Sequence, residues 1–71
     1  MTTNQVTEEL RRTARCLGRL AVKVRKTVDR YSHDPAGQER LKSHAWGLQE
    51  AAGVVRERAT KIERRDRQDR R

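Results

Sequence analysis

Residues that could act as nucleophiles or metal ligands are few in this chain and far apart. Cys16 is the only cysteine, and the two histidines, His33 and His44, are eleven residues apart. This spacing does not match the Cys and His clusters that hold zinc, and no glycine-rich phosphate loop is present. The sequence therefore predicts a protein that is not an enzyme, with no metal, no cofactor and no small-molecule substrate.

Basic residues have both the number and the spacing to bind a ligand. The chain has 18 Lys and Arg against 10 Asp and Glu, a formal charge of +8, which favours polyanions such as nucleic acids, acidic lipid surfaces or acidic proteins. Six of these residues recur three or four positions apart, which places them on one side of a single helix over about 27 Å, at about 1.5 Å per residue. This basic stripe consists of Arg12, Arg15, Arg19, Lys23, Lys26 and Arg30.

Like charges at helical spacing repel each other, so an all-basic row lowers helix stability unless an anion lies against it. A row of charges can also serve solubility alone, and the sequence leaves that alternative open. We predict that the stripe binds RNA or DNA by neutralising phosphates, with strong salt dependence and recognition that is largely by shape.

Two series of apolar residues predict the elements that carry the stripe. Large residues recur every seven positions: Leu10, Leu17, Val24 and Tyr31, then Leu41, Leu48, Val55 and Ile62. Smaller residues follow four positions after them: Ala14, Ala21 and Val28, then Ala45, Ala52 and Ala59. With 39% charged residues the composition alone resembles a disordered chain, but this regular heptad pattern is typical of packed helices.

The break between the two heptad blocks predicts a turn. Pro35 suits the first turn of a helix, and Asp34 before it is a natural N-cap. At the front, Thr2 and Gln5 fit a capping box, with Asn4 as a competing cap. We therefore predict an all-α fold, an antiparallel two-helix hairpin with helices at about 4–32 and 35–64. The hairpin would occupy residues 1–64, and residues 65–71 would form a charged C-terminal tail that is frayed or disordered.

The core pattern over about residues 10–62 resembles the Rop family of plasmid-encoded RNA-binding dimers, in which Ala and Leu alternate in two antiparallel helices. The resemblance implies a homodimer that binds RNA on its first helices. A homodimer is also expected on physical grounds, because two helices alone leave much of each core residue exposed, whereas two hairpins can form a four-helix bundle.

A second set of residues indicates a different kind of partner. Trp46, Gly53 and Val54 lie on the outer side of the second helix, and Leu20 lies on a flank of the first. Trp46 could pack against a neighbouring protomer, anchor a protein partner or stack on a base. The alternative function is therefore a protein-interaction module, an adaptor or inhibitor that docks its helices on a larger protein around Trp46.

The sequence contains no candidate membrane segment. No apolar stretch approaches the roughly 20 residues that cross a bilayer, and the start MTTNQVTEEL lacks the basic and apolar regions of a secretory signal. The single cysteine excludes an intrachain disulfide. We therefore expect a soluble protein of the cytoplasm.

Overall fold

The structure, a computed structural model, describes residues 2–69 and contains two helices that lie side by side. Helix α1 spans Thr3–Val28 and continues into a 3-10 turn, Asp29–Tyr31, and helix α2 spans Pro35–Asp69. The molecule extends over 59 × 14 × 13 Å, the elongated shape of a single pair of helices. The predicted all-α antiparallel hairpin is confirmed. Neither helix, within residues 2–69, is long and apolar enough to span a membrane.

Both predicted N-caps form. The Thr2 hydroxyl accepts a hydrogen bond from the Gln5 backbone N–H at 3.2 Å, and the Gln5 side-chain oxygen accepts one from the Thr2 N–H at 2.9 Å. Before α2, the Asp34 carboxylate accepts a hydrogen bond from the Gly37 N–H at 3.1 Å. A Cβ atom at residue 37 would lie only 2.5 Å from Asp34 Oδ2, so glycine at this position allows the cap.

The far end of α2 differs from the prediction, because the helix continues past residue 64 to Asp69. Contacts with the start of α1 hold this extension: Arg11 forms an ion pair with Glu63, and the Thr3 hydroxyl donates a hydrogen bond to Asp66 at 3.3 Å. The frayed or disordered tail at residues 65–71 stays a prediction, and residues 70 and 71 lie outside the described part of the chain.

The helices meet through the small core positions. Ala14, Ala21, Ala45, Ala52 and Ala59 are at most 3% exposed, since such short side chains allow two helices to approach closely. Two further positions in the same heptad register, Val28 and Thr7, are also buried. The Thr7 hydroxyl donates to the carbonyls of Thr3 and Asn4, which satisfies its buried oxygen.

The large core positions flank this contact and stay half-buried. They are Leu10, Leu17, Val24, Leu41, Leu48, Val55 and Ile62. The eighth, Tyr31, lies in the 3-10 turn and is 42% exposed, with its ring stacked on that of His33 at a centroid distance of 6.2 Å. The layer expected at Tyr31 is therefore not buried, because the chain has already left the α-helical register there.

The hairpin has two distinct faces. In both helices the large residue lies four positions before a small one, and because the helices run antiparallel, this common offset places both large rows on the same side. We call those seven large residues the apolar face. The opposite side, called the charged face, carries the heptad position that lies three residues before the small row, together with its continuation one heptad further along α2: Arg11, Gly18, Arg25, Lys42, Gln49, Arg56 and Glu63. The Arg11–Glu63 ion pair crosses between the helices on this side.

Candidate nucleic-acid interface

The basic stripe is fully displayed on the outside of the hairpin. All six side chains are exposed, five of them on α1 and Arg30 on the 3-10 turn that follows. Only Arg12 has an acidic partner among residues 2–69, with its guanidinium 3.1 Å from Glu9. Arg19 lies 3.8 Å from the Cys16 sulfur, which is a weak acceptor. From Arg15 to Arg30 the described part of the chain therefore leaves the stripe without ion pairs.

The middle of the stripe surrounds a shallow groove of about 520 Å³. Its floor is made by Gly18 and Val22; Val22 is 47% exposed, and no side chain would come within 4 Å of a Cβ at residue 18. Four stripe residues line its walls: Arg15, Arg19, Lys23 and Lys26. The sequence pattern identified these cations but missed Gly18, since an absent side chain gives no signal in a charge pattern.

A second groove, of about 250 Å³, lies on the charged face where α1 and α2 meet. We call it the Trp46 groove, and it is lined by Arg25, Val28, Lys42, Ala45 and Trp46. Trp46 is 63% exposed, and its Nε1 donates a hydrogen bond to Glu50 at 2.9 Å, which fixes one edge of the indole.

Arg25 and Lys42 were not among the predicted site residues, although their heptad positions indicate that they lie on the same face of the hairpin. Each lies three positions before a small core residue, Val28 or Ala45, and such positions in antiparallel helices fall on a common face. Lys42 Nζ is 3.6 Å from a Glu39 carboxylate oxygen, and both side chains of this pair are exposed. Arg25 is exposed and forms no ion pair within residues 2–69.

The four predicted protein-interface residues do not share one surface. Trp46 and Gly53 are seven residues apart on the same side of α2, and Val54, beside them, is 65% exposed. Leu20, 46% exposed on α1, lies three positions after Leu17 and four before Val24, at the border of the apolar face. Leu20 therefore lies on a different helix and side from the other three, and contact of all four with one protein partner stays a prediction.

Glu63, the acidic residue on the charged face, is paired with a cation of the same chain. A hydrogen bond and ion pair from Arg11 hold the pKa of Glu63 below its usual value, with a smaller contribution from Arg67 at 3.9 Å. Glu63 therefore stays ionised at neutral pH, and Arg11 is engaged in the ion pair with it. Of the other cations on the charged face, Arg25 near the turn and Arg56 farther from it form no ion pair among residues 2–69, and Lys42 is paired only with Glu39.

Comparison with known proteins gives no match: no protein-family model, no curated protein and no solved structure is similar to this chain. The resemblance to the Rop family therefore rests on the sequence pattern of the core alone. Among residues 2–69, no group of three His, Cys, Asp or Glu side chains is placed to hold a metal ion. The one thiol, Cys16, is exposed and free.

Proposed function

We propose that this protein is a small, non-enzymatic regulatory protein that binds RNA or DNA through the basic stripe, as a Rop-like homodimer. The observation that carries the proposal is the exposed run of five cations, from Arg15 to Arg30, that has no acidic partner among the described residues. Phosphates spaced along a nucleic-acid strand would supply the missing partners.

A solubility role explains this run less well than a ligand does. Arg12 pairs with Glu9 one helical turn away, whereas Lys26 forms no ion pair with Asp29, which is also one turn away, so the stripe beyond Arg12 has no acidic partner among residues 2–69. Each like-charge pair at i, i+4 lowers helix stability by about 0.2–0.5 kcal/mol. The stripe repeats this spacing between Arg15 and Arg19, between Arg19 and Lys23, and again between Lys26 and Arg30. Phosphate binding would convert that repulsion into charge-assisted hydrogen bonds.

The apolar face supports the homodimer. A face of seven large, half-buried residues along one side of a hairpin is a surface that other proteins cover. A second copy offers the same face, and two hairpins joined there would make a four-helix bundle. Such a dimer leaves the stripe and the charged face of each protomer exposed. By analogy with the Rop family, the first helices of the two protomers would form the binding surface.

The proposal is tested by neutralising the centre of the stripe. The double variant Arg19→Ala/Lys23→Ala should weaken binding to a labelled nucleic acid several-fold at low salt, because two phosphate contacts are lost. The matched control is Arg64→Ala/Arg65→Ala, which removes the same charge from exposed positions near the end of α2. Anisotropy titrations measure both variants, and circular dichroism checks that both remain helical. Equal losses in the two variants would show that total charge, and not the stripe, determines binding.

The alternative function is the protein-interaction module, which the exposure of Trp46 and Val54 favours. An exposed tryptophan is a common anchor for protein partners, and Val54 would add apolar contact area beside it. This alternative predicts that a protein co-purifies with the chain, that nuclease treatment does not release it, and that Trp46→Ala does. Release by nuclease supports the nucleic-acid proposal instead.

A further inference from the structure

The Trp46 groove combines an aromatic ring with two cations, on the same face of the hairpin that the basic stripe borders. We propose that this groove binds the base of an unpaired nucleotide, which stacks on Trp46 while Arg25 and Lys42 hold the adjacent phosphates. The inference rests on the proposed nucleic-acid binding and narrows its ligand to strands, loops or ends with unpaired bases.

The indole is held in place and accessible, as a stacking platform must be. Its Nε1 hydrogen bond to Glu50 fixes the ring edge on the outer side of α2, and 63% of the residue remains exposed. The floor beside it is apolar, since it is made by the buried residues Val28 and Ala45. A nucleobase has two flat faces of low polarity, so it can stack on the ring and contact this floor.

The charges at the rim distinguish a nucleotide from an apolar protein segment. Every base in a strand is flanked by phosphates, and Arg25 offers a guanidinium without an ion pair among residues 2–69. Lys42 is engaged only with Glu39 at 3.6 Å, and an exposed pair of this kind is weak enough for a phosphate to displace. An apolar segment would leave the Arg25 guanidinium without an anionic partner.

The groove is also continuous with the stripe. Arg25 is adjacent in sequence to Lys26, a stripe residue, but it points toward the contact between the helices, where it lines the Trp46 groove. A strand whose phosphates follow the stripe therefore reaches the groove through this pair of residues. In a regular duplex each base is already stacked inside the helix, so only an unpaired base can enter.

Trp46 is the only tryptophan of the chain, so its own fluorescence reports occupancy of the groove. Titration at low salt with a single-stranded oligonucleotide should quench this fluorescence, because a stacked base contacts the indole directly. A blunt duplex of equal length and an abasic strand should both bind the stripe without quenching. The same titration with RNA and with DNA single strands shows which of the two the protein binds more tightly.

A Trp46→Ala variant should lose about ten- to hundred-fold in affinity for the single strand and almost nothing for the duplex or the abasic strand. The Trp46→Phe variant, which keeps an aromatic ring, should recover much of the loss.

Equal quenching by all three probes, or equal losses on single strand and duplex, would overturn the inference while the stripe variants still support the proposed function. If no probe binds at all, the proposed function fails as well. If Trp46→Ala instead abolishes capture of a protein and leaves every nucleic-acid affinity unchanged, the groove is a protein site.

Discussion

Alanine, rather than leucine, determines how closely the two helices of this protein pack. The contact is made by residues such as Ala21 and Ala59, both fully buried, while Leu17 and Leu48 lie beside it and remain half-exposed. The heptad pattern predicted both sets as core, because both face roughly toward the partner helix. It could not show which set would be central, since that depends on the rotation of each helix about its axis.

Enlarging one of these alanines should separate the helices. We expect Ala52→Leu to lower the free energy of unfolding by about 1–3 kcal/mol, because the added methyl groups have no space at a residue that is 3% exposed. The control is Ala36→Leu, the same change at an exposed position in the first turn of α2. Urea unfolding followed by circular dichroism, at one protein concentration, measures both. Similar stabilities of the two variants would contradict the close alanine contact.

The ends of the helices were predictable where the signal is local and unpredictable where it is not. Both N-caps follow from residues within three positions of each other, Thr2 with Gln5 and Asp34 with Gly37. The extension of α2 depends on contacts with α1 across more than fifty residues of sequence, from Arg11 to Glu63 and from Thr3 to Asp66. No local pattern contains such contacts.

The Arg11–Glu63 ion pair makes the stability of these joined ends pH-dependent. The pKa of Glu63 is lowered in the folded protein, mainly by the hydrogen bond from Arg11, so the unfolded chain binds the proton more readily. The stabilisation is therefore present at neutral pH and is lost as the pH falls through the ordinary glutamate pKa, about 4.3, and below it.

We expect the thermal midpoint of the protein to fall on acidification, and to fall less steeply in Glu63→Gln, which cannot titrate at this position. Thermal melts from neutral pH to about pH 3 measure the difference. The control is Glu57→Gln, an exposed residue of α2 without an ion pair among residues 2–69. An acid dependence that is the same in Glu63→Gln as in the unchanged protein would show that the pair contributes nothing.

At the level of the whole hairpin, the sequence predicted a basic side and a tryptophan side with separate partners. The structure adds a groove between the two helices that is lined by Trp46 and by two cations outside the predicted stripe, Arg25 and Lys42. The sequence pattern predicts the faces of each helix separately. The groove forms only when the two helices pack antiparallel, because its lining residues come from both of them. The same joining places both rows of large residues on a single apolar face.

A charge in the centre of the apolar face should prevent association. We expect Leu48→Lys to shift the protein from dimer to monomer, because a buried, unpaired ammonium is strongly unfavourable in a helix bundle. The control is Val54→Lys, which introduces the same charge on the outer side of α2, where residue 54 is already 65% exposed. Sedimentation equilibrium gives the mass of each. A dimer that persists in Leu48→Lys would show that association uses another surface, and a monomer in the unchanged protein would exclude the homodimer.

The most direct test of the central claim is the salt dependence of nucleic-acid binding, measured as the slope of log affinity against log salt concentration. The unchanged protein should bind at low salt with a steep negative slope, because each phosphate held by the stripe releases a counterion. The Arg19→Ala/Lys23→Ala variant should have a slope shallower by about 1.4 on a single strand and about 1.8 on duplex DNA, the values expected for two lost contacts. Absence of binding at low salt, or a slope that this variant leaves unchanged, would contradict the account.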